Sequence, residues 1–129
     1  MRYTLLLHYP EMSADELGPE ALEQGQEAFT SYAATLHSAG VLIAAEVLQP
    51  SSNTTTLRSE GGGAPVRVQD GPFADTKDQL GGTFVIDVPD LDTAIEWAKQ
   101  APSMDYGAGG VEVRPGAVHT VDGVWNANA

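Results

Sequence analysis

The sequence has no cysteine among its 129 residues. Without a thiol, the chain has no disulfide framework, no cysteine nucleophile and no cysteine-ligated zinc. It also lacks an apolar run of about 18 residues and the basic flank and apolar core of a secretory leader. We therefore expect a cytoplasmic protein with no membrane partner.

Basic residues are scarce. Six lysines and arginines stand against 18 aspartates and glutamates, which gives a formal net charge of −12. The six are scattered singly, whereas binding to a nucleic-acid backbone requires clustered cations. We therefore expect no nucleic-acid partner. The acidity favours solubility, and it would also suit docking on a basic protein surface.

Motifs for metals and cofactors are missing. The three histidines, His8, His37 and His119, are far apart and have neither His-x-His nor His-x-x-x-His spacing. No Gly-x-Gly-x-x-Gly follows a strand, and the glycine run at 61–63 lacks the lysine and hydroxyl residue of a phosphate-binding loop. We therefore predict no bound metal and no cofactor.

Hydrophobic periodicity and turn residues predict one domain over residues 1–129 with alternating strands and helices. The helix starts are marked by Pro19 and by Asp90 as an N-cap, and Gly40 is expected to close the first long helix. The predicted elements are a strand at 2–9, a helix from 19 to about 39, a strand at 41–48, a hairpin with arms at 53–58 and 65–69, a strand at 82–88, a helix from 90 and a strand at 111–114.

Without the hairpin, this order is βαββαβ, the ferredoxin-like α+β arrangement. Two helices cover only one face of a four-stranded sheet, and the other face still carries apolar residues at alternate positions. That face should be buried, and the simplest cover is a second copy packed sheet to sheet. We therefore predict a homodimer. Residues from about 117 form a peripheral tail, expected to fray at 126–129.

The stretch from Asp70 to Gly82 concentrates turn residues, acids, a hydroxyl and one of the two lysines, Lys77. Asp70-Gly71-Pro72 is typical of a tight turn, and we predict an ordered loop from Phe73 to Leu80 before the next strand. An ordered polar loop beside a hydrophobic strand is a common place for a functional site. The same features also fit a loop with no chemistry.

Asp-Gly-Pro-Phe, followed by Ala-Asp-Thr-Lys-Asp and Leu-Gly-Gly, resembles the signature of the DGPF-domain branch of the YCII-related proteins. Residues 1–7, 39–50, 87–98 and 111–115 fit the same branch, so the resemblance extends from residue 1 to about 116. It implies a dimeric α+β barrel. It also implies a small molecule, an oxygenated aromatic or polyketide-like compound, bound between sheet and helices and acted on by a cofactor-free lyase, isomerase or cyclase. The alternative that it implies is a non-catalytic regulatory or interaction module associated with an extracytoplasmic-function sigma factor.

Three residues are candidates for acid–base chemistry. His8 ends the first strand, and histidine suits proton transfer near neutral pH, although a partly exposed structural histidine at a strand end is the alternative. Glu46 interrupts an apolar run in what we predict to be a central strand, where an unpaired carboxylate is costly. It is therefore either an ion-pair partner of a basic residue or an acid with a shifted pKa. Asp70 either orients a histidine or acts as a base, or it caps the Gly71-Pro72 turn.

The broader family resemblance implies a His–Asp pair with its histidine on the first helix. The matching stretch here lies near Phe29, and no histidine occurs between His8 and His37. Asp70 matches the acidic member, so the pair lacks its histidine unless His8 reaches the same groove from the first strand.

Four further residues are predicted to contact a ligand: Phe73, Lys77, Glu112 and Arg114. Glu112 and Arg114 alternate along one face of the last strand. Together they suit a carboxylate-bearing ligand, and they suit a solvated or dimer-interface face equally well.

Overall fold

The computed structural model describes all 129 residues and contains eight strands and three α-helices. The strands are β1 (Arg2–Pro10), β2 (Leu42–Val47), β3 (Thr55–Arg58), β4 (Arg67–Asp70), β5 (Asp78–Asp87), β6 (Gly110–Pro115), β7 (Val118–Val121) and β8 (Val124–Ala127). The helices are α1 (Ala14–Leu17), α2 (Pro19–Ser38) and α3 (Leu91–Ala98).

Four strands form the main sheet in the order β2-β5-β1-β6, and every neighbouring pair is antiparallel. The connection through α2 and α3 gives the βαββαβ order, with the β3–β4 hairpin inserted between β2 and β5. This confirms the ferredoxin-like α+β fold with an inserted hairpin that the sequence predicts. None of the helices is both long and apolar enough to cross a bilayer.

The core lies between the sheet and the helices. Alternation along β1 and β5 directs one set of side chains, including Leu5 and Phe84, toward the helices, where α2 contributes Tyr32 and Leu36. The Tyr32 hydroxyl donates a 2.8 Å hydrogen bond to the carbonyl of Trp97 in α3, which ties the two helices together. Burial raises the pKa of Tyr32 to about 12.

The start of α3 and the end of α2 follow the predicted capping chemistry, and α1 has a capping box of its own. Asp90 caps α3 by accepting a 2.8 Å hydrogen bond from the backbone N–H of Thr93. Ser13 and Glu16 form a capping box at the start of α1. Gly40 has φ of +74°, a left-handed conformation that ends the α2 segment at little steric cost.

Three segments differ from the prediction. β5 begins at Asp78 rather than 82, because the Gln79 side chain donates to the carbonyls of Ala74 and Thr76 and closes the turn early. Residues 102–106 form a 3₁₀ turn within the connection before the last strand of the sheet. The tail is paired as the β7–β8 hairpin instead of frayed, because the Asn128 side chain donates to the carbonyls of Arg2 and Gly116.

The second face of the main sheet has no helix on it. We call it the open face. Its central side chains are Thr4 and Leu6 of β1 and Thr83 and Val85 of β5, which are only partly buried. These residues alternate with the buried core residues of the same strands, so the open face is the surface left uncovered by α2 and α3.

Candidate functional site

A histidine–carboxylate pair lies on the open face, at the end of β1. His8 is opposite Gly110 of β6, so Glu112 is its diagonal neighbour on the same face. The His8 Nε2 and Glu112 Oε1 atoms are 2.7 Å apart. Arg114 Nε donates a 3.0 Å hydrogen bond to Glu112 Oε2, so both carboxylate oxygens are engaged. The three side chains form one chain of charge-assisted hydrogen bonds.

Electrostatics keep Glu112 ionised. Its hydrogen bond from Arg114, followed by that with His8, lowers its pKa below the ordinary value. An ionised carboxylate at Nε2 fixes the orientation of the imidazole ring. Because Nε2 is occupied by this contact, Nδ1 is the ring nitrogen of His8 that remains for another group.

His8 and Glu112 line an open groove with a volume of about 990 Å³. The rest of its lining comes from residues of the segment 48–54, which follows β2, and of the segment 72–80, which leads into β5. The groove therefore joins the open face of the sheet to the loop that begins with Asp70-Gly71-Pro72. A groove of this size can accommodate a small organic molecule.

The β3–β4 hairpin holds the Asp-Gly-Pro loop in place. Gly71 has φ of +98°, and its N–H donates a 2.8 Å hydrogen bond to the carbonyl of Thr54. The carbonyl of Gly71 accepts a 2.6 Å hydrogen bond from the hydroxyl of the buried residue Thr56. These hydrogen bonds on both sides of one residue make the loop a fixed wall of the groove.

Arg58 fixes the aromatic ring in that wall. Its guanidinium carbon lies 4.5 Å from the centre of the Phe73 ring, and Nη2 donates a 3.0 Å hydrogen bond to the Phe73 carbonyl. Gln69 orients the same guanidinium by accepting from Nε at 2.8 Å. The ring is thus held although Phe73 is 71% exposed. The sequence analysis did not identify Arg58 as a site residue. The one indication in the sequence is that Arg58 follows Thr56 by two residues and therefore lies on the same face of the hairpin arm.

Asp78 is a second residue that sequence reasoning missed. It lies opposite Pro10 and on the same face as His8, because His8 is opposite Leu80. Asp78 lines the groove, and its Oδ1 atom is buried without a hydrogen-bond partner. An oxygen that is shielded from solvent and has no hydrogen-bond donor carries a desolvation cost.

The groove brings together four of the seven predicted site residues: His8, Glu112, Phe73 and Lys77. Arg114 joins them through Glu112. Asp70 ends β4, is exposed, and is not part of the groove lining.

Glu46 lies elsewhere, and its predicted environment was wrong. β2 is an edge strand and not a central one, so Glu46 is exposed and has no hydrogen bond or ion pair within the subunit. A strand's own pattern does not show which neighbours it has in the sheet.

The groove is also on a different side of the sheet from the predicted pocket. Between the sheet and α2, aromatic rings fill the space: Phe29 stacks on Phe84 at 6.3 Å, and Tyr9 contacts Tyr106 edge-on at 5.4 Å. The residues predicted to line a pocket there face the open side instead. The structure contains no group of three or more His, Cys, Asp or Glu side chains placed to hold a metal ion.

Comparison with known proteins identifies the family. The model of the YCII-related domain matches residues 1–116. An uncharacterized protein of Rhizobium meliloti (strain 1021) is 32% identical over 119 residues, which cover 92% of this chain and 94% of that protein. With its ferredoxin-like α+β fold, the chain belongs to the YCII-related family.

A solved structure is also similar at low identity. It is the 5-chloro-2-hydroxyhydroquinone dehydrochlorinase of Burkholderia phenoliruptrix AC1100, in complex with 2,5-dihydroxybenzoquinone. The match has 14% identity and a TM-score of 0.44, and it covers 88% of this chain and 91% of that one.

Proposed function

We propose that this protein is a homodimer that binds a small oxygenated aromatic or polyketide-like molecule in the groove and moves a proton on it without a cofactor. The reaction class is that of a lyase, isomerase or cyclase. The observation that carries the proposal is the 2.7 Å contact between His8 Nε2 and Glu112 Oε1. Both residues line the same groove as Phe73.

The pair supports proton transfer through a division of roles. Glu112 is held ionised by Arg114, and its hydrogen bond with His8 orients the imidazole ring. His8 then exchanges a proton with the bound molecule through Nδ1. A carboxylate with both oxygens already engaged is a poor base itself, so we assign the proton transfer to His8 and a positioning role to Glu112.

The loop from Pro72 to Leu80, which also lines the groove, supports an aromatic, oxygen-bearing ligand. Arg58 covers one side of the Phe73 ring, which leaves the other side for stacking, a contact that contributes about 0.5–1.5 kcal/mol. Lys77 supplies a cation for a phenolate or carboxylate oxygen. Asp70 is assigned to the turn and not to the chemistry.

The test is ligand-dependent thermal stability against a panel of phenols, quinones and small carboxylic acids. A compound present at 100 times its Kd stabilises the folded state by about 2.7 kcal/mol. We expect at least one class to raise the Tm of the wild type and to lose this effect in Phe73→Ala. Leu57→Ala is the matched control, because Leu57 is exposed on the hairpin but does not line the groove. If no class stabilises the wild type, the binding proposal is wrong.

Turnover is tested separately from binding. For a stabilising compound, we expect its absorbance spectrum to change with time in the presence of wild type. His8→Gln should still be stabilised by the compound but should leave the spectrum constant. A His8→Gln variant that converts the compound at the wild-type rate would remove His8 from the reaction.

The open face supports the homodimer. It places partly buried Leu6 and Val85 beside Thr4 and Thr83 on a surface that no helix covers. Light scattering at micromolar concentration should give twice the chain mass of 13.6 kDa. A stable particle of 13.6 kDa would contradict the homodimer.

The alternative role, a non-catalytic partner of an extracytoplasmic-function sigma factor, is supported by the net charge of −12 alone. Pull-down with such a sigma factor at low salt tests it. Failure to bind there would dismiss this role.

A further inference from the structure

We propose that Gly109 is a positioning residue for His8. Because it has no side chain, its backbone lies directly against the end of β1 and keeps His8 within hydrogen-bonding distance of Glu112. This role rests on the proposed proton transfer by His8, and it adds to that function a residue that does not line the groove.

Gly109 is in close contact with the backbone of β1. It has φ of +78°, and a Cβ atom built on it would overlap the carbonyl oxygen of His8. The same Cβ atom would lie 2.9 Å from the His8 carbonyl carbon and 2.9 Å from the Tyr9 Cα atom. Only a hydrogen atom fits in that direction, so the two backbones approach one another as closely as glycine alone allows.

The atoms that Gly109 contacts belong to the main chain and cannot rotate out of the way. At Gly81, by comparison, the atoms that an added Cβ would overlap belong to the Tyr9 ring, which can turn about its side-chain bonds. At Gly109 they belong to the peptide unit that joins His8 to Tyr9. An added methyl group must therefore move either β1 or the segment that carries Gly109.

The regular pairing that holds His8 is on the β6 side. On the β5 side, the pairing of β1 is irregular between Leu7 and His8. On the β6 side, it is regular from Tyr3 to His8 and ends where His8 is opposite Gly110. Since Gly109 directly precedes Gly110, it lies at the point where the pairing of β1 with β6 ends.

The His8–Glu112 contact depends on the separation of these two strands. Glu112 follows Gly110 by two residues on β6, and its Oε1 atom is 2.7 Å from His8 Nε2. Hydrogen bonds from N–H to oxygen span about 2.7–3.2 Å, so a separation of about 1 Å at Gly109 takes the pair outside this range in its present rotamers.

The contact between Arg114 and Glu112 should survive such a change. Both residues belong to β6, and Arg114 Nε donates to Glu112 Oε2 at 3.0 Å. The hydrogen bond from Arg114 is the larger cause of the lowered pKa of Glu112, and the one with His8 is the next. Loss of the His8 contact alone should therefore raise the pKa of Glu112 only part of the way to its ordinary value.

Gly107 provides a matched control. It lies two residues before Gly109 in the same connection between α3 and β6, and its φ of +69° is also positive. A Cβ atom built on Gly107 meets no atom within 4 Å. Gly107→Ala and Gly109→Ala thus impose a similar backbone strain, whereas only Gly109→Ala pushes against β1.

The test is the titration of Glu112 in the protein without ligand, followed by the ¹³C NMR signal of its side-chain carboxyl group. Glu112→Gln identifies this signal by removing it. We expect a higher midpoint in Gly109→Ala than in the wild type, and an unchanged midpoint in Gly107→Ala. A role of Gly109 in stability alone would lower the Tm of Gly109→Ala without moving the midpoint. An unmoved midpoint would overturn the positioning role.

A second measurement uses the wild type and decides the case if circular dichroism shows that Gly109→Ala does not fold. The Cβ direction of Gly109 points at the His8–Tyr9 backbone, so we expect a nuclear Overhauser effect between the Hα protons of Gly109 and the Hα proton of Tyr9. Its absence would overturn the proposal.

Turnover separates this inference from the proposed function. For a compound that the wild type converts, Gly109→Ala should lower kcat by about tenfold or more and change KM little, while Gly107→Ala keeps both. If no compound is converted, the proposed function fails, and the titration of Glu112 still tests the contact made by Gly109. If a compound is converted and Gly109→Ala keeps the wild-type kcat, Gly109 has no part in the reaction and the proposed function stands.

Discussion

The Gly81→Ala substitution tests how closely the Tyr9 ring packs against the backbone of β5. Gly81 falls at the irregularity in the β1–β5 pairing, where Leu7 is opposite Gly82 but His8 is opposite Leu80. A Cβ atom at Gly81 would overlap the ring of Tyr9. In the Gly81→Ala variant the ring must therefore move, which disturbs its edge-on contact with Tyr106 at 5.4 Å.

Displacement of the Tyr9 ring sets the free-energy cost of this substitution. The edge-on aromatic interaction contributes about 1 kcal/mol, and partial exposure of a tyrosine ring costs about 1.5 kcal/mol. The reduced entropy of the unfolded chain offsets about 0.7 kcal/mol. We expect a net destabilisation of roughly 2 kcal/mol. At an unfolding entropy of about 2.1 cal/mol/K per residue, this lowers the Tm of a chain of 129 residues by about 7 °C.

Urea denaturation at fixed protein concentration measures this change, since a dimer's stability depends on concentration. Gly25→Ala is the matched control. It lies within α2, where the added Cβ meets only the Tyr106 hydroxyl at 4.0 Å. That variant should gain about 0.5–1 kcal/mol. The reasoning is refuted if Gly81→Ala is as stable as the wild type, or if its cost persists unchanged in a Tyr9→Ala background.

Three further predictions concern the site, a helix end and the core. Hydrogen bonds from Arg114 and His8 lower the pKa of Glu112 in the folded state below its ordinary value of 4.5. The stabilisation that the ionised carboxylate gives to the folded state is therefore complete above pH 4.5, and it is lost as the pH falls through the lower pKa of the folded state. Urea stability of Glu112→Gln should accordingly depend less on pH at the acid end than that of the wild type, and parallel curves would contradict this. Asp90→Ala should lower the free energy of unfolding, measured in urea, by about 1 kcal/mol because it removes the N-cap of α3. Asp90→Asn should retain most of this stability, because asparagine is also a good N-cap. Leu36→Ala should cost about 3 kcal/mol because Leu36 is fully buried, and a loss below 1 kcal/mol would show that the core collapses around the cavity.

Local patterns in the sequence were sufficient for the four strands of the main sheet, the β3–β4 hairpin, the helices α2 and α3, and the order of these elements. Alternation along the first strand separates the core face from the open face: Tyr3, Leu5 and Leu7 are buried, whereas Thr4 and Leu6 are only partly buried. Asp90 acts as an N-cap because its side chain and the nearby Thr93 N–H are local in sequence. Such features are encoded within a few residues, so they can be inferred without knowing the fold.

The errors and omissions concern interactions between distant segments. Whether β2, the strand of Glu46, is central or at an edge depends on the order of the strands in the sheet. The residues of β2 alone do not indicate that order. Arg58 reaches Phe73 across 15 positions, and only the folded hairpin brings them together. The β7–β8 hairpin likewise depends on the bond from Asn128 to Arg2, which joins the two ends of the chain. Pairings of this kind are set by tertiary structure.

The most direct test of the proposed site is the NMR spectrum of the histidine rings during titration with a compound that stabilises the protein. The chain has three histidines, so His37 and His119 serve as internal references. We predict that the His8 ring resonances shift as the compound binds, while those of His37 and His119 do not. A saturating compound that leaves the His8 resonances unmoved would contradict the assignment of the groove as the binding site.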